Sequence, residues 1–204
     1  RHRAGAETAG DLPDHLARMA LFDLNTGVRD DVVCKLRWAW EIKGPELGIS
    51  VFEVPREHVK GRRRPRLVVC NSVAQSVVEA QRGKHGEFVF VYRRERVKNI
   101  GEAPLMPYRA IETMNNTAWQ RARREAGLPD LHVHDLRHTY ATIALRAGVH
   151  PAIVSERLGH SSIAVTIDLY SHAVPGLQRE AAGVIGDLIF GGTGTSVGGE
   201  SDDA

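Results

Sequence analysis

Apolar residues recur along residues 11–26 (DLPDHLARMALFDLNT) at Leu12, Leu16, Met19 and Ala20, three and four positions apart, which predicts a helix with one buried face. Asp11 is placed to cap its N-terminus, Pro13 falls in its first turn, and Gly27 stands where such a helix stops. A short second helix is expected in VRDDVVCKL, with Asp30 and Asp31 near its positive end. Residues 49–54 (ISVFEV) and 67–69 (LVV) are β-branched and aromatic, predicting two strands on either side of a basic stretch. Residues 72–82 and 112–126 read as helices and 88–92 (FVFVY) as a strand.

Beyond residue 134 the pattern turns wholly helical. Leu136, Tyr140, Ile143, Ala144 and Ala147 follow a 3.6-residue period before Gly148. Pro151 opens another helix that ends at Gly159, and a third covers about 162–170. Leu177, Ala181, Ile185 and Leu188 mark a last amphipathic segment. The expected fold is therefore α+β, mostly helical with a small antiparallel sheet. One domain over 11–190 is predicted, with a disordered extension at 1–10 and a Gly/Ser/Thr-rich tail at 191–204.

The chain has 204 residues, 42% hydrophobic and 25% charged, a balance that supplies a core and excludes disorder along most of the length. No apolar run approaches the ~20 residues that span a bilayer, and the N-terminus has no signal-peptide stretch, so no membrane association is expected. Cys34 and Cys70 form neither a disulfide framework nor a metal-type spacing, which points to a reducing cytoplasm. The net charge is only +2, but its distribution is uneven. Arg56, Lys60, Arg62, Arg63, Arg64 and Arg66 crowd one stretch, Arg93, Arg94, Arg96 and Lys98 a second, and Arg121, Arg123 and Arg124 a third. One such cluster is an ordinary solvated face; three in a nearly neutral chain favour an anionic partner such as a phosphate backbone.

Two segments carry candidate chemistry. In HVHDLRHT (132–139), a helix beginning near Asp135 puts His134 and Arg137 on one face at an N-terminal end, where backbone N–H groups already favour an anion. Metal binding by His132, His134 and His138 is the competing reading, weakened by the lack of a carboxylate or cysteine at a useful spacing. His138 is expected to be a satisfied core histidine. In LGHSSIAVTIDLYSH (158–172), His160 follows the glycine stop and Tyr170 comes ten residues later, at the end of the next helix. Taken singly, a tyrosine there is more often simply packed. Residues 141–170 also fit the punctuation of a helix-turn-helix module.

In order along the chain, TGVR (26–29), LRW (36–38), Lys60 in a basic hairpin, HDLRHT (134–139), LGHSS (158–162) and YSH (170–172) resemble the tyrosine recombinases, the phage integrase family. The resemblance runs from about residue 11 to 190 and implies the recombinase catalytic domain, which cuts and rejoins DNA strands. It assigns Arg29 and Arg137 to the two phosphate-binding arginines, Lys60 to the lysine between two strands, His134 to the histidine of His-x-x-Arg, and His160 to the later histidine. Tyr170 takes the place of the nucleophile.

The resemblance further implies double-stranded DNA as partner, a homotetramer on DNA and a monomer when free, with neither cofactor nor metal. Arg62, Arg63, Arg64, Arg93 and Arg94 are the expected contacts to the DNA backbone. Two departures stand out. The family's acid three positions after the first arginine is replaced by Val32, and its N-terminal core-binding domain is expected to be absent from these residues. The rival readings are a type IB topoisomerase, with the same tyrosine chemistry, and a non-catalytic helix-turn-helix DNA-binding module.

Overall fold

The computed structural model describes residues 12–42, 48–59, 64–93, 107–160, 162–173, 183–186 and 189, the backbone alone for 169–173. Helix α1 spans Asp14–Thr26 and α2 Asp30–Cys34. Strands β1 (Glu41–Ile42), β2 (Val51–Val54) and β3 (Arg66–Val69) follow, then α3 (Ser72–Glu79). A two-stranded ribbon, β4 (Val91–Tyr92) with β5 (Arg109–Ala110), precedes α4 (Thr117–Glu125). The chain continues with α5 (His134–Arg146), α6 (Pro151–Leu158) and α7 (Ile163–Ala173). This is the α+β class the pattern predicts, with two small antiparallel sheets where one was expected.

Local chemistry explains most boundaries. Asn71 and Asn116 cap α3 and α4 by accepting backbone N–H groups of the first turn. Pro151 occupies the first position of α6, and Gly159 ends it in the left-handed conformation at φ +64°. The first helix starts later than the pattern suggested. Its cap position is Pro13, so that proline lies outside the helical turns, and Asp11 lies outside the described residues. The expected helix over 112–126 begins only at Thr117, after the Asn116 cap. Of the strand expected over 88–92, only Val91 and Tyr92 pair with β5, while Phe88 makes an isolated bridge to Arg37.

In the three-stranded sheet β2 is central, pairing Phe52 with Glu41 on one side and Val68 on the other. Its short partner β1 has no apolar run to announce it. The main core lies between this sheet and helices α1 and α3, with Leu16, Met19, Phe22, Phe52, Val54 and Val78 wholly buried. Phe22 meets Phe90 edge-on at 5.1 Å between centroids. A second, smaller cluster joins α5 and α6 through Ala141, Leu145, Val154 and Leu158. No helix among the described residues is long and apolar enough to cross a membrane. Of the amphipathic segment predicted near 177–188, Leu177, Ala181 and Leu188 lie outside the described residues, and Ile185 is exposed.

Candidate active site

The site grows from the turn that ends α1. The Gly27 N–H donates to the Asp23 carbonyl at 2.7 Å, with φ +63° at the glycine. A Cβ at this position would come within 2.5 Å of a Tyr140 ring carbon and 2.8 Å of Leu158 Cδ2, so only glycine lets α1 close onto α5 and α6. Two residues later Arg29 occupies the cap position of α2 in extended backbone, half-buried.

Two buried guanidiniums converge on that turn. Arg137, in the first turn of α5 and 2% exposed, donates from Nη1 to the Gly27 carbonyl at 2.9 Å and from Nη2 to the Leu158 carbonyl at 2.5 Å. Arg66, on the inward face of β3, donates from Nη2 to the Arg157 carbonyl and, at 3.5 Å, to the same Gly27 carbonyl. Burial lowers the pKa of both below the ordinary guanidinium range. Arg66 and Arg29 lower that of Arg137 further, and Arg29 that of Arg66, while both groups stay cationic at neutral pH.

Asp23 lies beside them on α1, 1% exposed, with both carboxylate oxygens lacking a hydrogen-bond partner among the described residues. Burial, aided by Asp30, raises its pKa to about 8 against the opposing pull of Arg137 and Arg66. Val32 is 4% exposed in the main core, so no acid follows Arg29 on the buried face of α2. Asp31, beside it, is exposed, yet its charge reaches both Arg66 and Arg137.

The histidines complete one side of the cluster. His134 is the first residue of α5, and its ring meets that of His138 edge-on at 4.9 Å. His138 is exposed, which corrects its expected place in the core: one turn after His134, it stands on the same outward stripe of the helix. Desolvation, then His138 and Arg137, hold the His134 imidazole below its ordinary pKa. His160 follows the Gly159 stop, its N–H donating to the Ser155 carbonyl at 3.0 Å. Desolvation and the nearby Arg137 and Arg29 push His160 down to about 4, so it is neutral at pH 7. Its Nδ1 lies 2.8 Å from Thr166 Oγ1 on α7.

Four of the six predicted groups thus come together: Arg29 and Arg137 lie near enough to lower the pKa of His134 and of His160, and Arg29 that of Arg137 as well. Tyr170 sits on α7, the helix that Thr166 ties to His160. Lys60, Arg62, Arg63 and Arg94 lie outside the described residues. Arg64 and Arg93 are exposed, Arg93 over the Tyr108 ring at 4.9 Å. Two members of the basic clusters do not face solvent as expected: Arg66 is buried, and Arg123 is half-buried and donates to the Leu131 carbonyl at 2.9 Å. Among the described residues no group of three His, Cys, Asp or Glu could hold a metal ion.

Sequence reasoning missed Asp23, the internal role of Arg66, and Thr166. For the first two a signal existed. Asp23 continues the apolar stripe of Leu16 and Met19, and Arg66 alternates with buried Val68 and Cys70, so each is a charge on an inward face.

Comparison with known proteins supplies the context. The sequence profile of the phage integrase family matches residues 6–175. The integrase of Salmonella phage P22 is 33% identical over 183 residues, 89% of this chain and 45% of that protein. Tyrosine recombinase XerC of Mycobacterium bovis is 29% identical over 181 residues, 84% of this chain and 55% of that one. The chain therefore spans about half the length of the curated relatives it matches. Among solved structures, XerA recombinase superposes with a TM-score of 0.54 at 20% identity, covering 90% of this chain and 66% of that one. The Tn1549 transposon integrase in complex with circular intermediate DNA gives 0.57 at 17% identity, over 82% and 59%. Those two likenesses speak for the fold, and with the profile over most of the sequence they lead to one conclusion: the chain belongs to the phage integrase family.

Proposed function

We propose that this chain is the catalytic domain of a site-specific DNA recombinase that cleaves and rejoins strands through a 3′-phosphotyrosyl intermediate. The observation that carries the reading is the gathering of Arg29, Arg137, His134 and His160 where the Gly27 turn meets α5 and α6, beside the helix bearing Tyr170. A phosphodiester is anionic and gains charge in the transition state, and fixed cations aimed at its oxygens lower that barrier, about 3–4 kcal/mol per donor in comparable sites. Arginine forks suit this because each holds two oxygens and keeps its proton.

Tyr170 supplies the nucleophilic oxygen. A phenol of ordinary pKa, ~10, is ionised only about once in a thousand at pH 7, a handicap of ~4 kcal/mol that the site must offset. His134 takes the proton as attack proceeds, a role supported by its lowered pKa, which leaves the imidazole neutral and able to accept. Lys60 returns a proton to the departing 5′ oxygen, and His160, neutral as well, hydrogen-bonds the scissile phosphate. One phosphodiester replaces another, so rejoining is the same exchange in reverse with a new 5′ hydroxyl and needs no nucleotide hydrolysis.

Arg62, Arg63, Arg64, Arg93 and Arg94 hold the backbone of double-stranded DNA, on which four copies assemble from free monomers in the cytoplasm. Incubation with a nicked suicide duplex tests the reading. The expected result is a covalent protein–DNA adduct that disappears in Tyr170→Phe; an adduct that survives this substitution overturns it.

A further inference from the structure

His160 raises a question its charge cannot answer. A neutral imidazole carries one N–H and one lone pair, so which nitrogen holds the proton decides whether the ring can help an anion or repels it. Among the described residues, the His160 ring meets a side-chain partner at Nδ1, 2.8 Å from the hydroxyl of Thr166. Thr166 is 0% exposed, so its hydroxyl is shielded from bulk water and must find its partner inside the protein. A buried threonine inside a helix can satisfy its hydroxyl on the carbonyl one turn back. Here it reaches out of α7 to the residue that follows the end of α6.

We propose that Thr166 is a positioning residue for strand cleavage: its hydroxyl donates to His160 Nδ1, fixing the Nε2–H tautomer and presenting that N–H to the scissile phosphate. The assignment rests on the recombinase reading given above. The opposite arrangement, Nδ1–H donating to Thr166, would leave a lone pair on Nε2 beside the arginines gathered for an anion, and it would repel the phosphate oxygen those arginines attract. The same bond has a second consequence. Thr166 lies one helical turn before Tyr170, so the contact that sets the tautomer also ties the nucleophile's helix to the end of α6. Proton position and helix position are set by a single hydroxyl.

Isosteric Thr166→Val removes the hydroxyl and keeps the shape, whereas Thr166→Ser keeps the hydroxyl. With a saturating suicide duplex, Thr166→Val is expected to slow single-turnover cleavage roughly 10- to 100-fold, the size of loss seen when a metal-ligating histidine loses its orienting partner. DNA affinity, spread over many backbone contacts, should fall far less than the rate, and Thr166→Ser should cleave close to the wild-type rate. Nitrogen NMR of the histidine-labelled chain supplies a readout that a purely structural role would not move. His160 should show a protonated Nε2 in wild type and in Thr166→Ser, and a mixture of tautomers in Thr166→Val.

A wild-type His160 protonated on Nδ1, or a Thr166→Val protein that cleaves at full rate, overturns the proposal. Should Thr166→Val fail to fold, the wild-type spectrum decides alone. If wild type forms no adduct at all, the recombinase reading fails, and the nitrogen spectrum still decides whether Thr166 sets the tautomer.

Discussion

From α1 to α4 the chain packs its apolar side chains into one continuous cluster between sheet and helices, whereas the cluster of the later helices has four described residues, Ala141 and Leu145 of α5 with Val154 and Leu158 of α6. On those later helices Ile143, Ile153, Val165 and Ile167 remain exposed. Yet it is the sparsely cored region that supplies Arg137, His134, His160 and Tyr170. Polar ties compensate at the seam: two guanidiniums reach backbone carbonyls of the Gly27 turn and of the end of α6. Local stability follows buried apolar contact, so the site is built from a densely packed half and a sparsely packed half, joined by these hydrogen bonds together with apolar contact at Val133, Leu136 and the Gly27 turn. Arg137, proposed above to bind the phosphate, is also one of the two residues whose hydrogen bonds join the halves.

The largest expected effect tests that division directly. Phe52→Ala empties a wholly buried position in the large cluster and should lower global stability by about 3–5 kcal/mol, reducing amide protection in both regions. Leu145→Ala, in the small cluster, should fall at the low end of the range for leucine truncation, about 2–3 kcal/mol, and should speed exchange in α5–α7 before α1 and α3. Equal loss of protection across both regions after Leu145→Ala would dissolve the distinction. Native-state hydrogen exchange is the measurement.

The next effect isolates the seam. Gly27→Ala places a Cβ within 2.5 Å of Tyr140 and 2.8 Å of Leu158 at φ +63°, so strain and overpacking together should remove about 2–4 kcal/mol. Gly148 has a comparable φ of +79° with nothing within 4 Å of its missing Cβ, so Gly148→Ala should show the backbone strain alone, about 1–2 kcal/mol. Thermal melts of the pair separate the two terms. If both substitutions lower stability equally, the seam at Gly27 is not tight.

Much of this was legible in the chain, for reasons that differ by residue. Gly27 and Gly159 announce helix ends because a left-handed stop is a local requirement, whereas the expected helix over 112–126 ran past the Asn116 cap that starts α4. The His134–Arg137 pair was visible because both lie within one helical turn. What distance in sequence concealed was partnership. Arg66 reads as one more member of a basic run until β3 folds and carries it to a carbonyl 91 positions later. His138 reads as core until α5 turns it outward, and Thr166 carries no chemistry until α7 closes on His160. Strand β1 has only two residues and takes its conformation from Val51 and Phe52 across the ladder.

The effect read in the smallest steps, at most about 1.4 kcal/mol for each pH unit, concerns Asp23, the buried acid on the densely packed side of the seam. Its carboxyl titrates near 8 in the folded protein against an ordinary 3.8, so folding favours its protonated form. The contribution is fully present below about pH 4 and is lost as pH rises through about 8, with a slope of at most about 1.4 kcal/mol per pH unit. His160 works the other way. Its folded value of about 4 lies below the ordinary 6.5, so its contribution is present above 6.5 and lost as pH falls toward 4. Between 4 and 6.5 the two oppose each other, and from 6.5 to 8 Asp23 acts without that opposition. Asp23→Asn stays neutral throughout and should flatten the decline of stability in that upper window, as read from urea midpoints at successive pH values. An unchanged slope would mean that Asp23 ionises in the fold at its ordinary pH, and that the guanidiniums at the seam already hold it as a paired carboxylate.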